Sequence, residues 1–360
     1  MKIVITVVIA LTSGFAYFFI QGRIPSPPPT SVTLRHPLAD CNKETGIAKI
    51  VCLAEIFKAT LSDAQLSSLQ LTYSVTDAKR WSNFPQAFSR PSRIGLAFGS
   101  LHPTQLASAK ALMAAVLSQD TINEGYDELE GSLIADDIIA KATGKTSTFG
   151  AGNFYIAFLG QPSASALWEL QYGGHHFAFA NTYKSGQLMG ATPSFRGTEP
   201  METQANGRTY QPLEQEKAAF SKIIALLNEK EVNTARMPNS FSNLLLGPGK
   251  DGQFPTNKQG IRVGDLTQTQ QEQVKKGIKL YVYDLETATA DAVMAIYNAE
   301  LADTYLSFSG SGSMSQVGDY MRIDGPSIWL EYSTQGSRDF PNSTHAHSVW
   351  RDRKSDYGGN

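Results

Sequence analysis

The chain has 360 residues, more than twice the commonest domain size, and with 41% hydrophobic and 18% charged residues it has the composition of a folded protein, not a disordered or collagenous one. Thirty-one basic against 33 acidic side chains leave a formal charge of −2, which argues against nucleic acid as a partner because no basic surplus is available for counterion release.

Residues 1–22 read as a signal or a membrane anchor. The apolar run Ile3 to Ile20 carries no charge, is about long enough to cross a bilayer as a helix, and exceeds most signal-peptide cores. Residues 23–35 read as a linker, since the stretch from Arg23 to Thr30 (RIPSPPPT) is rich in proline and favours an extended spacer. The folded part, residues 36–360, is then expected outside the cytoplasm, periplasmic or extracellular, either held to the membrane through residues 3–20 or secreted. The only two cysteines, Cys41 and Cys52, stand at its start. In an oxidising compartment a disulfide closing a short loop is the simpler reading, and their spacing matches neither a redox motif nor a zinc knuckle.

Helix starts are written at Ser62 with Gln65 and at Thr267 with Gln270, where a hydroxyl and a Gln three residues later form a capping box. His102, Pro103 and Gln105 repeat the theme with proline in the first turn. Apolar spacing predicts helices near 104–118, 126–142, 213–230, 268–284 and 286–300. Aromatic and β-branched runs bounded by turn residues predict strands over 154–159, 167–183, 305–308, 320–323, 327–332 and 345–350. Because helices and strands are grouped and do not alternate, the expected class is α+β: a largely antiparallel sheet with packed helices in a single large domain after an N-terminal membrane-anchor helix. Residues 239–264 read as a long ordered loop bordering a cleft, and the serine-glycine run 309–313 as a flexible turn.

Four of the six histidines fall in two pairs, His175-His176 and His345-Ala346-His347. Alternate residues on a strand share a face, so His345 and His347 are placed to grip one ion. Read as strand neighbours, His175 and His176 point oppositely. His175 is in phase with Phe177 and Phe179, a core pattern, whereas His176 is in phase with the smaller Ala178 and Ala180. The metal set is therefore read as His176, His345 and His347, with His175 in support. Three histidines with an open position suit zinc first and copper or iron as alternatives. Glu199 and Glu331 are the candidates for a further ligand or a general base, and Arg351, two positions beyond Val349 on the same strand, for holding an anionic group. The competing reading makes these histidines structural and pairs Arg351 with Asp352 or Asp356.

The run Tyr320 to Gly359, with YMRIDGP, a Glu-Tyr strand and HAHSVWRD, resembles the C-terminal signature of the bacterial and fungal family called domain of unknown function 3500, DUF3500. The segments YIAFLGQPSASALWELQYGGHHFAFANTY and PSFRGTEP are similar to its Gly-His-His strand and Gly-x-Glu-Pro turn. The resemblance draws attention to His175, His176, Glu199, Arg322, Glu331, His345, His347, Trp350, Arg351 and Asp352, with Arg322, Trp350 and Asp352 expected to support the site. It implies no reaction. Ala180 stands where a polar residue is common in that family, and is expected to open space beside His176.

Two functions follow as expectations. One is a metal-dependent enzyme, hydrolase or oxidase, acting on a small-molecule or polymeric substrate. The other is a non-catalytic protein that holds a ligand or metal with its histidines and with Trp168, Trp329 and Trp350.

Overall fold

The structure, a computed structural model, describes residues 40–119 and 121–359. The expected anchor and linker over residues 1–35 lie outside the described residues. Among those described, no helix is long and apolar enough to cross a membrane. Cys41 and Cys52 form a disulfide that ties the first turn of the described chain to the helix Gly46–Ala59. That bridge suggests an oxidising environment.

One mixed sheet organises the molecule. In spatial order ten of its twelve strands are Gln70–Leu71, Tyr155–Leu159, Trp168–Gly173, Phe177–Lys184, Ser194–Thr198, Thr344–Asp352, Ile328–Gly336, Tyr320–Asp324, Tyr305–Ser309 and Ile261–Arg262, while Leu96–Ala97 pairs with Tyr155–Leu159 and Gln187–Gly190 with Phe177–Lys184 off this path. Within this order only the pairing of Gln70–Leu71 with Tyr155–Leu159 is parallel; the others are antiparallel. The α+β class with a largely antiparallel sheet and packed helices is thus what the chain forms. Two strand groups distant in sequence join where Ser194–Thr198 pairs with Thr344–Asp352.

The helices pack on one face of this sheet in two apolar clusters. Phe158, Leu170, Tyr172 and Phe177 meet the early helices through residues such as Phe57, Leu112 and Leu129, while Leu306, Phe308, Tyr332 and Trp350 meet the later ones through Phe220, Ile278 and Tyr297. The opposite face carries a smaller cluster, Ala178, Ala180, Phe195 and Val349 with Trp81 and Tyr357, and irregular segments cover it. Burial of these side chains at roughly 25 cal/mol per Å² is the main force holding both layers to the sheet.

The capping boxes form as predicted at Ser62, Thr267 and His102, the last with the imidazole itself as the cap. The helix expected over 213–230 breaks in two, Glu214–Ala225 and Glu229–Ala235, because Asn228 caps a new start with Glu231. The serine-rich turn is pinned, not free: Ser311, Ser313, Ser315 and Gln316 all donate to the Asp319 carboxylate. Burial pushes that carboxyl up, but these donors outweigh it and hold its pKa low.

The strand expected over 167–183 is two strands. Gly174 to His176 form the turn between them, with His176 in the left-handed region at φ +69°. The pattern carried a trace of this break: the core residues are even-numbered before it, Trp168, Leu170 and Tyr172, and odd-numbered after it, Phe177 and Phe179, so the period-2 phase slips across the turn. A Cβ on Gly174 would lie 2.4 Å from the Phe154 ring, so this turn needs its glycine.

Candidate metal centre

Three neighbouring strands assemble the site. Phe177 pairs with Arg196, and His347 pairs with Gly197, so His176, one residue before Phe177, arrives beside Gly197 with His347 on its far side. Gly197 leaves the space in which the imidazoles meet. A Cβ there would stand 3.1 Å from His176 Cδ2 and 3.0 Å from the Ala346 carbonyl oxygen. The His176 ring centre lies 5.0 Å from that of His347 and 5.3 Å from that of His345. One ring nitrogen from each of the three histidines falls within a mutual span of 4.8 Å, and His175, His176 and Glu199 form a second such group.

Because His175 and His176 occupy a turn, they do not obey strand alternation. Their rings stack at 3.7 Å between centres and both line the same cavity. His176 is fixed by its backbone N–H, which donates to the Asn83 carbonyl at 3.1 Å. His175 is fixed through Nδ1, 2.6 Å from Asp136 Oδ1, while Asp136 Oδ2 accepts the Gly150 N–H at 2.7 Å. A carboxylate behind an imidazole sets its tautomer and leaves Nε2 as a donor to an ion.

Burial lowers the pKa of His176 strongly, reinforced by His175, His347 and His345. Burial, then His345 and His175, does the same to His347. His345 is also lowered by burial, against an opposing pull from Glu199. The rings are therefore neutral lone-pair donors at physiological pH. His345 Nδ1 and His347 Nε2 are buried with no hydrogen-bond partner. Orphaned polar atoms of this kind are rare in folded interiors, and an ion shared by the ring nitrogens satisfies the donor set. On the other side of its ring, His347 Nδ1 meets Gln335 Nε2 at 2.7 Å and Asn243 Oδ1 at 3.1 Å.

A cavity of about 250 Å³ opens over the cluster, lined by Phe84, Phe88, Lys145, Phe149, Glu199 and Arg338 together with the four histidines and other residues. Glu199 is held by a hydrogen bond from the Ser337 hydroxyl. Of the predicted residues, His175, His176, Glu199, His345 and His347 come together here.

The others sit elsewhere. Glu331 is on the same sheet face as the histidines but is wholly buried, and its carboxylate accepts from Leu245 N, Leu246 N, Tyr320 Oη and Trp329 Nε1 at 2.5–2.8 Å. With its oxygens so engaged and no exposure to the cavity, it is placed to anchor the 239–264 loop, not to take a proton from a reactant. Arg351 is equally buried, its fork divided between Asp251 at 2.7 Å and Asp356 at 2.8 Å. An anionic ligand finds no free donor there. Asp352 is not its partner; it accepts from Tyr297 Oη at 2.8 Å and from the backbone of Lys354 and Ser355. Trp350 points to the helical face, donating to Tyr297 Oη at 3.1 Å. Arg322 donates to Tyr320 Oη at 3.0 Å and lies over Trp329, away from the cavity. Trp168, Trp329 and Trp350 are core residues with almost no exposed surface, so none is available to hold a ligand. Ala180 packs in the apolar cluster on the loop-covered face and does not line the cavity, which is roofed by the segment containing Phe84 and Phe88 instead.

Sequence reasoning passed over Asp136, Asn243, Gln335 and the cavity mouth. Two phenylalanines in the polar segment 82–92 were a usable signal, because large apolar residues without periodicity have no core position to fill. Nothing in the sequence marked Asp136, which is one of several acids on an amphipathic helix.

A family model described as "Protein of unknown function (DUF3500)" matches residues 43–359, nearly the whole chain, in line with the motif resemblance. No curated protein and no solved structure matches the chain.

Proposed function

The chain belongs to this DUF3500 family, whose description assigns no reaction, and from the site's own geometry we propose that it is an extracytoplasmic, metal-dependent enzyme acting on a small molecule. The observation that carries the reading is the convergence of one ring nitrogen each from His176, His345 and His347 within 4.8 Å on the lining of an open cavity, with His345 Nδ1 and His347 Nε2 buried and without protein partners.

His176, His345 and His347 hold the ion, zinc first and copper or iron as alternatives, and leave a position facing the cavity. When bound, the ion supplies Lewis acidity and makes water acidic enough to attack at neutral pH. Glu199, steadied by Ser337, is the group placed to accept the proton of an attacking water. His175 with Asp136 braces His176 by ring stacking. The Cys41–Cys52 bridge supports the extracytoplasmic setting, with residues 1–22 as signal or anchor.

Metal content of the purified protein after reloading with zinc, copper and iron in turn tests this. One ion per chain is expected in the wild type and none in His345→Ala/His347→Ala at unchanged far-UV circular dichroism. A wild type that takes up no ion, or a double variant that keeps it, overturns the metal centre. Glu199→Gln is expected to keep the ion and lose turnover in a screen of small hydrolysable substrates.

A further inference from the structure

The mouth of the cavity carries features that the metal centre does not need. Phe84 and Phe88 leave 44% and 56% of their surface exposed beside it. Apolar surface left in water forgoes burial free energy, so a pair of half-open phenylalanines at one opening marks a surface for an apolar guest. Arg338 faces them from the turn between the strands Ile328–Gly336 and Thr344–Asp352, its guanidinium 5.8 Å from the Phe88 ring. Among the described residues it forms no ion pair, whereas the other cation of the mouth, Lys145, is matched by Asp339 at 3.3 Å. Arg338 is therefore the cation of this lining without an ion partner, the other charges being Glu199 and the Lys145–Asp339 pair, and its guanidinium is planar, forked and suited to a carboxylate.

Size and polarity limit the guest further. A cavity of about 250 Å³ has room for one ring with short substituents. Glu199 at the floor repels a second anion, so a charged end is directed outward to Arg338 and the opposite end inward to the imidazoles.

We propose that the pocket binds a small monocarboxylate with a single apolar ring, the ring seated against Phe84 and Phe88 and the carboxylate on the Arg338 fork. The orientation of its inner end rests on the metal-centre reading; recognition at the mouth does not.

Calorimetric titration of the protein, with and without zinc, using phenylacetate, 2-phenylethanol and acetate as probes, tests the proposal. Phenylacetate is expected to bind tightest in both forms. Arg338→Gln is expected to weaken phenylacetate about tenfold and leave 2-phenylethanol unchanged, and Phe88→Ala to weaken both aromatic probes and leave acetate unchanged. Zinc content stays the same in both variants. Phenylacetate affinity indifferent to Arg338→Gln, as when its carboxylate coordinates zinc, overturns the proposal while the metal centre stands. The expected pattern in a protein that takes up no zinc supports recognition at the mouth and removes the metal centre instead.

Discussion

Arg196 and Gly197 are neighbours on one short strand, and the two faces they serve solve opposite problems. Arg196 turns to the helical face, where Glu128 at 2.8 Å and Asp284 at 3.2 Å pair with its guanidinium and Ser194 accepts from it at 2.8 Å. Glu124 and Glu216 are buried in the same acidic group. Burial raises all four carboxyls, against the pull of Arg196, and repulsion from neighbouring carboxylates adds to it for Glu124, Glu128 and Glu216, Glu216 reaching about 8 and Glu124 about 12, so several retain protons at neutral pH. That face is closed: Arg196 pairs with two of the carboxyls, while Glu124 and Glu216 and one oxygen of Glu128 are buried without hydrogen-bond partners and are accommodated by protonation. Gly197 turns to the other face, where neutral imidazoles gather around missing partners under an open cavity. One residue step thus separates an acidic group sealed under helices around one guanidinium from a histidine group that opens onto a cavity.

The largest break in this contrast is expected from Arg196→Met. It removes the only guanidinium of the acidic group and should cost about 3–5 kcal/mol in urea unfolding, with zinc stoichiometry retained in the molecules that fold. Gly197→Ala should do the reverse. Its Cβ presses on His176 and the Ala346 carbonyl, so zinc affinity should fall on the order of 10–100-fold in competition with a chelator, with a much smaller loss of stability. Loss of stability without loss of zinc in that variant would contradict the role given to the bare position. Asp136→Asn, which weakens the hold on His175, should reduce zinc affinity about tenfold.

The smallest effect is one of pH. A carboxyl whose folded pKa lies above its unfolded value keeps its proton longer in the native state, so its contribution is complete below the unfolded pKa and disappears as pH rises through the folded one. For Glu216 that window runs from about 4.5 to about 8. Wild-type stability should decline across it, and Glu216→Gln should flatten the decline in unfolding measured at each pH. A slope unchanged by the substitution would mean that other members of the group carry the proton.

Much of the sheet was legible because its strands keep their apolar phase: the segments around 155–159, 305–309, 320–324 and 344–352 are where the patterning placed them. His345 and His347 share a face for that reason. Ser194–Thr198 was missed as a strand, being five residues that mix a charge with a glycine and are buried on both faces. The site inherits that gap, since this strand is what joins its two halves. Glu331 and Arg351 lie in phase with the histidines, yet the loop 239–264 supplies their partners from about 85 to 105 residues away, and no local pattern reports that.

From its sequence alone the chain establishes the α+β class, the cysteines in position to pair, and two histidine pairs whose chemistry suits a metal, because these follow from local periodicity and side-chain type. Tertiary structure alone decided that the His175-His176 pair sits in a turn, that Gly197 lets it meet His345 and His347, and that Phe84, Phe88 and Arg338 frame the opening. Those outcomes depend on strand register and on loops packed from distant parts of the chain, where the energy of a contact belongs to two segments and is written in neither.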